Sequence, residues 1–212
     1  MAVAKRKKKS IYSVHPGVLM VHRWIDDLPE KTGRSLPQWI AFIRKEGPKD
    51  PAARRDWLKK EHGLGTNSAW WLADRAEGKG EEDGDPDLYL AAAEQYVEAQ
   101  YAGKKAPLRP IYEALLELGF SIGKDVKACP CKTMVPLYRH RVFAEIKPTT
   151  LTRVDLGLAL KDTKTPKRLV DTGGFRKKDR ITRRIEITSP KDIDADVKRW
   201  LEAAYSMDGD DQ

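Results

Sequence analysis

Residues 152–160 read Thr-Arg-Val-Asp-Leu-Gly-Leu-Ala-Leu. Val154, Leu156, Leu158 and Leu160 recur at every second position, and Arg153, Asp155 and Gly157 fall between them. A period of two sends alternate side chains to opposite faces of a β-strand. The stretch therefore predicts a strand with one apolar face and an oppositely directed Arg153 and Asp155. Working outward, residues 126–129, 134–138, 142–146 and 181–187 alternate or run apolar in the same way. Pro136 sits inside one of them and lacks an amide proton, which predicts an edge strand or a bulge there. Before this region, Leu108, Ile111, Tyr112, Leu115 and Leu118 follow a 3.6-residue period behind Pro107. After it, Asp194 starts a last helix carrying Val197, Trp200, Leu201 and Ala204. Helix, an antiparallel meander of four or five strands, then helix is an α+β module over residues 104–207.

Residues 15–77 carry a different pattern. Pro16 suits the first turn of a helix through Val18, Leu19, Trp24, Ile25 and Leu28, with Pro29 and Gly33 marking its end or a kink. Ser35 caps a second helix, in which Leu36, Trp39, Ile40 and Ile43 share one face. Asp50-Pro51 opens a third, with Ala53, Trp57 and Leu58 as its stripe and His62-Gly63 as its end. Thr66 to Ser68 supply caps for a fourth, where Ala69, Leu72, Ala73 and Ala76 line up. Five of the six tryptophans lie here: Trp24, Trp39, Trp57, Trp70 and Trp71. Rings of this size supply a small helical unit with its core.

The remaining segments read as connectors and tails. Residues 78–103 form a Gly- and acid-rich linker and a connecting helix that starts at Asp85-Pro86. Residues 1–14 form a disordered basic tail with Lys5, Arg6, Lys7, Lys8 and Lys9, and residues 208–212 a disordered acidic one.

Net charge is +8, and it is unevenly placed. Residues 78–103 hold 1 Lys or Arg against 7 Asp or Glu, whereas residues 124–184 hold 17 against 6. Such a field attracts polyanions. No apolar run approaches the roughly 20 residues of a membrane helix, and mean hydropathy is −0.63. The basic start is followed by no apolar signal region. Cys129 and Cys131 are too few for a disulfide scaffold. A cytoplasmic protein with no membrane association is expected.

The run Gly33-Arg34-Ser35-Leu36 through Trp39-Ile40, then Trp57-Leu58-Lys59 and Glu61-His62-Gly63-Leu64-Gly65, resembles the bacterial "domain of unknown function 4287". Cys129 to Leu137, Pro148-Thr149-Thr150, residues 152–158 and Gly173-Gly174 before a closing strand resemble "domain of unknown function 5655". Cys131 and Pro136 depart from the usual pattern of the second. The resemblance implies this order of two domains and supplies no catalytic residues. The second domain also occurs in larger chains beside nuclease-like or restriction-related domains, which turns the expectation toward nucleic acid.

Chemistry-bearing motifs are few. Cys129-Pro130-Cys131 puts two thiols on one strand face, but His15, His22, His62 and His140 show no zinc-ligand spacing, so no metal is expected. No cofactor motif occurs. Glu61-His62 precedes a Gly-Leu-Gly turn and reads as a helix end rather than a general base. The basic candidates for an anion site are Arg139, Arg141, Lys147, Arg153, Arg176, Lys178, Arg180 and Arg184. Planar guanidinium groups bond two phosphate oxygens at once. Against this stands a solvated sheet face with Arg153 and Asp155 in cross-strand ion pairs. The leading expectation is a non-catalytic binding protein that engages an anionic partner, nucleic acid among the candidates, through the sheet module. A protein–protein adaptor using the tryptophans is the alternative. A third reading, a small enzyme, requires a pocket that joins Arg153, Asp155 and His62 or His140.

Overall fold

The computed structural model describes residues 10–164 and 166–209. It divides into two units, one of Val14–Ala91 and the other of the residues from Ala92 onward together with those up to Ser13. Most of the sequence-predicted tails, residues 1–9 and 210–212, lies outside the described residues.

The first unit holds α1 (Pro16–Thr32), α2 (Leu36–Glu46), α3 (Pro51–Lys60) and α4 (Thr66–Ala76). Pro29 does not end α1: it lies within the last turn, and Gly33 at φ 74° closes the helix by donating its N–H to the Pro29 carbonyl. Asp50 Oδ1 accepts from the Ala53 amide at 2.8 Å and caps α3. Thr66 is the first residue of α4 rather than its cap. Leu28, Trp39, Ile43, Leu58, Ala69, Leu72, Ala73 and Ala76 form the core. Trp39 is 2% exposed and donates Nε1–H to Thr32 Oγ1 at 2.8 Å. Ala53, expected on the α3 stripe, is exposed.

The acidic segment is not a linker. A 3-10 turn at Glu81–Asp83 leads to Gly84, whose carbonyl meets His22 Nδ1 at 3.0 Å. A Cβ on Gly84 would stand 2.6 Å from Ile25 Cδ1 and 3.2 Å from Trp71 Cζ2, so a larger residue would have to displace these side chains. The division between units falls inside α5 (Pro86–Gln100), between Ala91 and Ala92.

The second unit contains α6 (Arg109–Ile122), β1 (Lys127–Ala128), β2 (Val135–Tyr138), β3 (Val142–Lys147), β4 (Val154–Leu158), β5 (Val170–Asp171), the single turn α7 (Gly174–Lys177), β6 (Arg183–Ile187) and α8 (Ala195–Gly209). The fold is α+β. All neighbouring strands are antiparallel, in the order β1-β2-β3-β4-β6-β5. The sixth strand, β5, has two residues and both are exposed, so it carries no hydrophobic pattern to read. β2 lies second from the edge, and the irregularity its proline suggested is a bulge between Leu137 and Tyr138. That bulge leaves Phe143 unpaired and buried, with its ring edge-on to Tyr205 of α8 at 5.6 Å.

Helices α6 and α8 cover one sheet face. Ile111, Tyr112 and Leu115 meet Ala144, Ile146, Leu156, Ile185 and Ile187, while Val197, Leu201 and Ala204 complete the core. The last described residues before Val14 belong to this unit and are ordered: Ser13 donates its N–H to the Ala128 carbonyl at 2.9 Å, and Tyr12 shares a 2.9 Å hydrogen bond with Tyr112. Among the described residues no helix is long and apolar enough to cross a membrane.

Removing the central ring of the first unit tests its dependence on tryptophan. Trp39→Ala is expected to cost about 3–5 kcal/mol, read as a lowered midpoint in urea denaturation followed by circular dichroism.

Candidate functional site

Cross-strand register sorts the basic residues of the sheet. On the face away from the helices, Lys147 stands opposite Asp155, and Asp155 opposite Glu186. In the next row, Glu145 stands opposite Gly157, and Gly157 opposite Arg184. Arg153 reaches Asp155 at 2.8 Å and Glu186 at 2.9 Å, and Arg184 reaches the same carboxylates at 3.0 and 2.9 Å. Thr149 Oγ1 donates to Asp155 Oδ2 at 2.8 Å. Asp155, enclosed by two guanidinium groups and a hydroxyl, is only 6% exposed, while Glu186 beside it is exposed, so the cross-strand ion pairs expected of this face are present. Three cations here, Lys147, Arg153 and Arg184, face three acids, Glu145, Asp155 and Glu186.

Arg139 ion-pairs with Asp125 at 3.1 Å and lies over the Tyr205 ring at 4.3 Å. Arg180 donates Nε–H to the Val142 carbonyl at 2.8 Å and pairs with Asp208. Asp208 is no part of an acidic tail. It lies in the last turn of α8, 2% exposed, and its Oδ2 also accepts the amides of His140 and Arg141 at 2.9 Å each. One carboxylate thus ties the end of α8, the β2–β3 turn and the approach to β6 together. The Arg141 side chain itself is exposed beside it.

Arg176 and Lys178 lie on the α7 turn, and its shape is forced. Gly174 can carry no side chain, because a Cβ there would stand 2.2 Å from the Ile181 carbonyl oxygen. The Gly174 amide donates to Thr172 Oγ1 at 3.1 Å, and Thr172 Oγ1 donates to the Ile181 carbonyl at 2.8 Å. Lys178 then adopts φ 60°, and the Asp179 amide returns to the Gly174 carbonyl at 2.9 Å. Across from it Lys161 adopts φ 50° in a turn held by Arg183. Arg183, 4% exposed, donates Nε–H and Nη2–H to the Thr163 carbonyl at 3.0 and 2.6 Å.

Between these turns lies a pocket of about 540 Å3, lined by Ala159, Lys161, Phe175, Lys178, Asp179, Arg180, Thr182 and Met207. Lys161 and Lys178 are the only non-glycine residues with positive φ among the described residues. The left-handed region costs a side-chain-bearing residue about 1–2 kcal/mol, and such outliers cluster at ligand sites. The pocket has an apolar floor, Lys161, Lys178 and Asp179 at its rim, and in its wall Arg180, which Asp208 already engages. Of the eight basic candidates, it brings together Lys178 and Arg180, with Arg176 on the adjoining turn.

Sequence reasoning missed Lys161, Phe175, Met207 and Asp208. Only Asp208 left a readable signal: it follows Val197, Leu201 and Ala204 at helical spacing, on their buried face.

The family model "Domain of unknown function (DUF5655)" matches residues 97–208. The chain belongs to this family. "Domain of unknown function (DUF4287)" matches residues 21–77, in the helical unit. Comparison with curated proteins and comparison with solved structures each gave no match. The pocket, the Asp208 network and the Arg153–Asp155 cluster all lie within the DUF5655 match.

His140 sits in the β2–β3 turn, at the opposite end of β3 from Lys147 and the loop leading to Arg153. His62 is enclosed in the helical unit by Trp39, Phe42 and Trp57, with ring centroids 5.7, 5.2 and 4.4 Å away. Burial pushes the Cys129 thiol up to about 12, and burial likewise raises Cys131. Among the described residues no group of three or more His, Cys, Asp or Glu is placed to hold a metal ion. Of the tryptophans expected at an interaction surface, Trp39 is buried, Trp57 and Trp71 are half-buried, and Trp70 is exposed with Arg55 over its ring at 4.7 Å. A smaller groove of about 380 Å3 in that unit is lined by Met20, Val21, Trp24, Asn67, Ser68 and Trp71.

Two measurements test this electrostatic architecture. Asp208→Ala removes the buried carboxylate from Arg180 and frees the β2–β3 turn, and it is expected to cost about 2–3 kcal/mol, reduced from the fully buried case because Arg180 keeps some water contact and its bond to the Val142 carbonyl. Urea denaturation reads this, and a loss below about 0.5 kcal/mol, the range of ordinary surface changes, contradicts it. On the sheet face, burial raises the Glu145 carboxyl above the ordinary glutamate range and Asp155 adds to it, with Lys147 opposing. The folded state therefore holds this proton more tightly than the unfolded chain. That stabilisation is full below the ordinary glutamate range and is lost as pH rises through the elevated value. Glu145→Gln should consequently gain stability relative to the parent as pH climbs through that window, in denaturation curves recorded across it.

Proposed function

We propose that this protein is a non-catalytic, cytoplasmic binding protein that engages an anionic partner, nucleic acid, through the α7–β6 end of its sheet unit. The observation that carries the reading is the pair of left-handed lysines, Lys161 and Lys178, at one pocket beside Arg180. Two turns in a sparsely populated conformation present ammonium groups around a common concavity. The basic residues of the sheet face lend less support, since Asp155 and Glu186 already engage Arg153 and Arg184. Ammonium groups neutralise phosphates and release condensed counterions, so affinity should fall steeply with salt and show little sequence preference.

Fluorescence anisotropy with labelled DNA and RNA oligonucleotides, over a series of salt concentrations, tests the proposal. The double variant Lys161→Glu, Lys178→Glu should weaken binding and flatten the logarithmic salt dependence by about one per lost phosphate contact. Lys45→Glu, on the exposed end of α2, should bind as the parent does. Absence of binding at low salt, or equal losses in both variants, overturns the proposal.

A further inference from the structure

We infer that the preferred ligand is single-stranded nucleic acid, with one unpaired base seated against Phe175 in the α7–β6 pocket. The inference rests on the polyanion reading and adds what that reading leaves open, namely the form of nucleic acid.

Cations alone do not explain the pocket. Phe175 is 52% exposed at its rim, and its ring stacks on no other ring among the described residues. An aromatic side chain left half in water on a rigid turn contributes little to folding. It is held there by constraint: Gly174 beside it is locked against the Ile181 carbonyl, and the Lys178 amide closes the turn onto the Phe175 carbonyl at 3.2 Å. Met207 and Ala159 supply an apolar surface in the same pocket, while Lys161 and Lys178 supply positive charge and Arg180, held by Asp208, forms part of the wall. An apolar floor with an exposed ring and cationic walls matches a nucleotide, whose base has two apolar faces and whose phosphate is anionic. Proteins that bind single strands combine a positive path for the backbone with an aromatic stacking platform. In a duplex the base faces are covered by their neighbours, so Phe175 would have nothing to stack on. A small free nucleotide would also fit about 540 Å3. The exposed Arg176 and Lys177 on the same turn, and Lys164 and Lys167 beyond Lys161, favour a ligand that continues past the pocket.

The experiment compares three probes of equal length by anisotropy: a single-stranded oligonucleotide, its duplex, and a single strand of the same backbone lacking bases. The full chain is used, with Phe175→Ala and Phe175→Trp as variants; an exposed ring can be removed without opening the core, and circular dichroism checks this. The single strand should bind more tightly than the duplex, and loss of the bases should abolish the difference. Phe175→Ala should weaken single-strand binding by about fivefold to a hundredfold, the measured range for one stacked base. Duplex affinity and salt slope should stay unchanged, and Phe175→Trp should restore binding. Equal affinity for the three probes, or no effect of Phe175→Ala on the single strand, overturns the inference while leaving the polyanion reading intact. Failure of every probe to bind at low salt removes both.

Discussion

A single buried carboxylate organises the α7–β6 end of the sheet unit. Asp208 accepts from two consecutive amides of the β2–β3 turn and pairs with Arg180, which in turn grips the Val142 carbonyl. Removing such a charge from water is unfavourable unless hydrogen bonds and an opposite charge replace its hydration, and here two backbone donors and a guanidinium do so. The arrangement forces the last turn of α8, the start of β3 and the approach to β6 into fixed relation. Met207, one residue before Asp208, is thereby set into the pocket floor, and Arg180 into its wall.

The same physics explains why charge counted along the chain and charge available to a partner differ. The basic stretch of residues 124–184 is strongly positive in sequence. In three dimensions much of that charge is spent internally, since Arg153 and Arg184 share Asp155 and Glu186 across adjacent strands. Arg183 is consumed by the carbonyl of Thr163, and Arg139 by Asp125 and the Tyr205 ring. The lysines of the two left-handed turns stand on loops and not on paired strands, at the rim of the pocket. They are displayed by backbone conformation, not by sheet register, and so they carry the functional reading.

What periodicity could reach, it reached. The period-two runs around Val142–Ile146, residues 152–160 and Ile181–Ile187 became β3, β4 and β6, and the 3.6-residue stripe of Ala69, Leu72, Ala73 and Ala76 became the buried face of α4. β5 escaped because two exposed residues have no pattern. The ends of the chain were misjudged for a related reason. Composition there is charged, yet Tyr12 is recruited by Tyr112, 100 residues away, and Asp208 by the amide of His140, 68 residues away.

By itself, the sequence determined the two-part division, the α+β class and the order of the longer helices and strands, because each follows from local spacing of apolar side chains and from the residues that cap helices and break them. Only the tertiary structure decided which charges remain available and where a pocket forms. Ion pairing across strands depends on register, and the pocket depends on turns contributed by residues 159–163, 174–182 and 207. No local pattern encodes those distances, which are set when the sheet closes and Asp208 finds Arg180.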